Sequence, residues 1–149
     1  MKNVIKFIRL NFKVKWMLIQ VLFLSANYRF RILYCPFSKL APKIGTSGYE
    51  TAKVEEFSPE RLELLKQVKW TVGAVCRRTP WESKCLVQAL TAKKLLNQRG
   101  IPCTLYMGVR KSEEGKMLAH AWLRCGRWYI TGGNGSLEYT VTTIYGDKE

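Results

Sequence analysis

The stretch Thr79-Pro80-Trp81-Glu82-Ser83-Lys84-Cys85-Leu86-Val87-Gln88-Ala89-Leu90 decides how this chain is read. Pro80 pushes Thr79 out of helical geometry and so closes whatever precedes it. Beyond it, Leu86, Ala89, Leu90, Leu95 and Leu96 recur at helical spacing. Ser83 is the expected N-cap and Gly100 the stop, which together predict a helix over 84–98. Cys85 then stands in the first helical turn. Unpaired N–H groups and the positive end of the helix dipole favour a thiolate there. The same N–H groups suit a developing oxyanion, and Ser83 and Trp81 flank that position. For a cysteine taken alone, the ordinary reading is a small buried hydrophobe.

Upstream of this stretch, Ser58-Pro59-Glu60 has the order N-cap, proline, acid of a helix start. Leu62, Leu65, Val68, Val72 and Val75 continue it to about Arg78 as a core stripe. Residues 36–49 carry Pro36, Pro42, Gly45, Ser47 and Gly48 and read as a linker. Before them, roughly 12–34 predicts a helix apolar nearly all round, which must be covered by the domain, a partner or lipid. Protein is the expected cover. The uncharged run Trp16–Ala26 is too short to span a bilayer, which takes about 20 residues. A signal peptide fits the basic start, but Leu24 suits a cleavage site poorly and the apolar pattern resumes at Tyr28.

Downstream the period changes. Residues 104–109 and 118–123 are strand-like, with a charged loop at 111–116 between them. Gly126 marks a tight turn into Trp128, Tyr129 and Ile130. Gly132 to Gly135 form a loop, and 139–145 is a last strand. Helices followed by an antiparallel sheet define an α+β chain.

The charge is lopsided. Residues 1–49 hold nine Lys or Arg and no acid, within a chain of net charge +14. Two segments follow: a basic N-terminal helix and linker at 1–49, and a globular domain at 50–149. The five cysteines form no CxxC pair, so neither a disulfide framework nor a zinc site is expected, and a reducing cytoplasm fits best. His120 is the sole histidine, which leaves a metal site short of ligands. No cofactor is expected.

His120 lies in Ala119-His120-Ala121-Trp122-Leu123, where alternation puts His120 and Trp122 on one face. A thiol nucleophile needs such a base, and the base needs an orienting partner. A core histidine bonded to backbone is the plainer reading.

Arg78–Leu86, then Arg99-Gly100-Ile101-Pro102, then Ala119-His120-Ala121-Trp122 together resemble the lasso-peptide leader peptidases, the protease half of split B proteins. The resemblance runs from about 57 to 143. It implies a papain/transglutaminase-like core with N-terminal helices and the catalytic cysteine at a helix N-terminus packed on an antiparallel sheet. It further implies Cys85 as nucleophile and His120 as base in a cysteine endopeptidase that cuts the leader from a ribosomally made lasso precursor before cyclisation. A leader-recognition protein, the precursor peptide and the lasso cyclase are the implied partners. Much of the family supplies an Asp after the histidine, but residues 121–137 contain no Asp or Glu. If Cys125-Gly126 form the turn, Thr131 falls opposite His120, which leaves Thr131, Asn134 or a backbone carbonyl to orient the ring.

Two other classes remain open at this point. One is a non-catalytic basic module that binds membrane or nucleic acid through residues 1–49. A charge run is usually a solvated face and no nucleic-acid motif accompanies it; the expected location is cytoplasmic, with a place peripheral to the membrane left open. The other is a different acyl-transfer chemistry, such as transglutamination, on the same core.

Overall fold

The computed structural model describes residues 6, 8–54 and 56–148. From residue 12 on, among the described residues, four α-helices come mainly first: α1 (Phe12–Tyr34), α2 (Phe37–Ile44), α3 (Pro59–Cys76) and α4 (Cys85–Asn97). Five strands follow or frame them: β1 (Thr46–Ser47), β2 (Thr104–Lys111), β3 (Met117–Cys125), β4 (Trp128–Thr131) and β5 (Thr140–Gly146). They form one sheet of order β1-β5-β2-β3-β4 in which every pairing is antiparallel. The expected α+β architecture is the observed one.

Local chemistry explains the helix ends. Asn11 caps α1 through its side chain, which accepts from the Lys13 N–H at 3.2 Å. Ser58 does the same for α3, with Pro59 in the first turn. Two boundaries depart from expectation. Residues 37–44, expected as linker, are helical because Leu40 and Ile44 lie one turn apart and both bury. At α4 the N-cap is Lys84, not Ser83, and it makes no side-chain capping bond.

Met17 and Val21 of α1, Leu65, Val68 and Val72 of α3, and Leu90, Leu95 and Leu96 of α4 meet Leu105, Ala121 and Leu123 of the sheet in one core. Each such leucine adds roughly 1.5–3 kcal/mol by leaving water. β3 is therefore two-sided. Ala121, Leu123 and Cys125 face the helices, while Tyr106 and Trp122 are buried outside that core, on the face shared with His120 and Arg124. A buried ion pair, Lys93 Nζ to Asp147 Oδ1 at 2.7 Å, ties α4 to the chain just after β5. The same carboxylate accepts from the Cys103 N–H at 3.0 Å.

α1 is covered on one side only. Met17, Val21 and Ser25 are buried, whereas Phe12, Phe23 and Tyr34 are 78%, 71% and 71% exposed. The expectation that protein covers the whole helix holds for its inner face within this chain. Among the described residues, no helix is long and apolar enough to cross a membrane.

Candidate active site

Cys85 is the first residue of α4, and its side chain, half-buried, packs against the rim of the core. Because Lys84 supplies no side-chain cap, the first-turn N–H groups beside the sulfur have no capping oxygen. The loop that delivers Cys85 is tightly tied. Thr79 Oγ1 bonds Ser83 Oγ at 2.9 Å, and Gln88 Nε2 donates to the Ser83 carbonyl at 2.8 Å. Ser83 thus braces the loop rather than capping the helix. Glu82 pairs with Lys84 at 2.6 Å and with Arg29 of α1 at 3.0 Å. The Lys84 hydrogen bond, before its charge, holds that carboxyl below its usual range. Its negative charge is thereby spent on two cations. Trp81 is half-buried, and its Nε1 has no hydrogen-bond partner among the described residues.

His120 sits on β3 among aromatic rings. Its ring centroid lies 5.0 Å from Tyr139 and 5.6 Å from Trp122, which in turn stacks on Tyr106. Arg110 stands over Tyr139 and pairs with Glu138. His120 Nε2 lies 2.7 Å from the Gly132 carbonyl oxygen. A carbonyl only accepts, so Nε2 carries a proton, and in the neutral ring Nδ1 keeps the lone pair. That is the tautomer a general base requires.

The group bonded to the ring is therefore a backbone carbonyl. Thr131 and Asn134 make no bond to the ring: Asn134 is exposed, and the buried Thr131 Oγ1 has no partner among the described residues. The hairpin register explains why. Cys125 pairs with Trp128, so Gly126 and Arg127 make the turn, with Gly126 at φ 54° supplying the positive φ. A register shift then sets Thr131 opposite Leu123, not opposite His120 as expected. β4 ends there, and the next residue turns back toward the imidazole. Gly132 is held to glycine twice over: its φ is 65°, and a Cβ would meet the Ala121 carbonyl at 2.5 Å and His120 Nε2 at 3.1 Å. Gly108, directly across the ladder from His120, is similarly confined, since a Cβ there would meet the Trp122 ring at 2.9 Å.

Cys85 and His120 are not hydrogen-bonded to each other in this structure; among the described residues the thiol has no hydrogen-bond partner. The remaining cysteines divide by burial. Burial pushes the thiols of Cys76 and Cys103 up and that of Cys125 to about 11, while Cys35 is exposed. Sequence reasoning passed over Gly132, Gly108, Tyr139 and Arg110. Only the glycine cluster gave any signal of them.

A cysteine opens a helix packed on an antiparallel sheet and a histidine stands on the second following strand, within an α+β fold. The family comparison agrees: residues 31–144 match the model of the transglutaminase-like superfamily, and the chain belongs to that superfamily. Its core is that of cysteine proteases and acyltransferases. Comparison with curated proteins and with solved structures gives no match.

Proposed function

We propose that this chain is a cysteine peptidase that removes the leader from a lasso-peptide precursor, working with a leader-recognition protein that presents the leader and ahead of the cyclase. The observation that carries the reading is the His120 Nε2–Gly132 carbonyl bond, which leaves Nδ1 as a base in a domain whose α4 begins with Cys85. Cys85 Sγ attacks the scissile carbonyl as its proton passes to His120 Nδ1. The first-turn N–H groups of α4 hold the oxyanion. The imidazolium gives its proton to the departing amine, and water hydrolyses the thioester. Throughout, the Gly132 carbonyl keeps Nε2–H in place and supports the positive ring. Sulfur and ring nitrogen must close to about 3–4 Å in the substrate complex, since apo contacts of this kind are often loose.

The test is incubation of the full chain with a lasso precursor and its leader-recognition protein, followed by intact-mass analysis. The reading expects two fragments whose masses sum to precursor plus one water, cut at the leader–core junction. Intact precursor, or a product carrying an amine in place of water, would contradict it.

A further inference from the structure

The bare side of α1 is organised. Phe12, Trp16, Ile19, Phe23, Phe30 and Tyr34 follow the three- and four-residue spacing of a single helix face, with Asn27 the one polar residue among them. All six are exposed, and five are aromatic. The stripe runs the length of a 23-residue helix, and of its six residues Ile19 alone lines the cleft between α1 and α3. Its charge setting is one-signed. Residues 1–49 hold nine bases and no acid, and Arg9, Lys13, Lys39 and Lys43 are exposed. Phenylalanine, tryptophan and tyrosine immersed to the headgroup level, with lysines and arginines beside them, are the chemistry of a helix lying in an anionic membrane interface. The opposite side of α1 is anchored by Met17 and Val21 in the core, so the helix presents this face without leaving the domain.

We propose that α1 seats the protein on an anionic bilayer surface, with the aromatic stripe in the headgroup–acyl boundary and the exposed bases against acidic headgroups. No stripe residue has a part in the peptidase reading, so this proposal stands or falls independently of it. It replaces protein with lipid as the cover of the outer face.

The experiment is flotation of the full chain with vesicles of phosphatidylglycerol and phosphatidylcholine in equal parts, against phosphatidylcholine alone. Binding is expected to the anionic vesicles at 0.1 M salt and to fall steeply at 0.5 M salt, as screening shortens the reach of the charges. Phe23→Glu should lose binding roughly tenfold or more, and Lys13→Gln about fivefold. Phe12→Ser serves as a second stripe variant, because a site this exposed tolerates it without loss of fold. Failure to float with anionic vesicles, or wild-type flotation by both stripe variants, would overturn the proposal. So would a concentration-dependent dimer that Phe23→Glu disperses while lipid binding stays absent, since the stripe would then belong to a second copy.

Discussion

The outer face of β3 has two ends, and they are built on opposite plans. At one end Arg124 is buried and fully engaged: Nε donates to Tyr106 Oη at 2.7 Å, and Nη2 to Glu50 at 3.0 Å and to the Thr51 carbonyl at 2.8 Å. Its other nitrogen donates to the Gly126 carbonyl, and Tyr106 donates to Glu50. At the other end His120 has one hydrogen bond, to a backbone carbonyl, and a ring nitrogen left with a lone pair. The first end engages all three guanidinium nitrogens and fastens Glu50 and Thr51 to the sheet. The second holds its ring by stacking and a single bond, and keeps acceptor capacity in reserve. A satisfied network rigidifies, whereas a site that is to move a proton must leave one position open.

Crossing the two ends should separate activity from stability. His120→Ala should cost precursor cleavage at least ~10³-fold, because nucleophile and base act as a unit, while its stability loss stays near the ~1 kcal/mol of a lost aromatic contact. Arg124→Ala should do the reverse. It strands the buried Thr51 and Gly126 carbonyls and removes the cation from Glu50, at a cost of about 3 kcal/mol in denaturant unfolding. A variant pair that lost activity and stability in the same proportion would erase the distinction. Gly132→Ala probes the join between the ends: the Cβ must displace the carbonyl that holds His120, for a loss of ~10–1000-fold in turnover. Its diagnostic is a turnover loss larger than its unfolding shift explains.

The smallest effect is in pH. Hydrogen bonding from Tyr106, ahead of the charge of Arg124, lowers the Glu50 carboxyl below 4.5, so its contribution is present above that value and fades as pH falls through the lower folded value. Burial, then the Glu50 bond, pushes Tyr106 up to about 12 from 10.0. Its neutral form is the stabilised one, so that contribution is complete below pH 10 and disappears as pH rises through about 12. Unfolding measured across pH should narrow at both limits for the wild type, and Tyr106→Phe should flatten both edges. Edges unchanged in Tyr106→Phe would detach the network from the pH dependence.

Most of the framework was legible because apolar spacing speaks for itself. The helix over 12–34, the start at Ser58-Pro59, the Cys85 helix and the strands near 104–109 and 118–123 all follow from periodicity and punctuation. The helix at 37–44 was hidden because Pro42 and the glycines after it signal a linker, while its burial depends on tertiary contact. At the site, residue types reveal thiols and imidazoles but not registers. The turn at Gly126-Arg127 and the register shift after it moved Thr131 away from the position that a Cys125-Gly126 turn assigned it. A carbonyl belongs to every residue, so its role at Gly132 shows only once the chain is folded. The uncovered stripe on α1 was half visible: apolar girth appeared in the sequence, but which side the core would take did not.

The central claim is that Cys85 is the nucleophile of a leader peptidase, and single-turnover cleavage of the precursor by Cys85→Ala, with the leader-recognition protein present, tests it most directly. The substitution removes one half-buried sulfur, so the unfolding midpoint should stay close to wild type while cleavage falls to background. Cleavage by folded Cys85→Ala at the wild-type rate would contradict the claim and the function built on it.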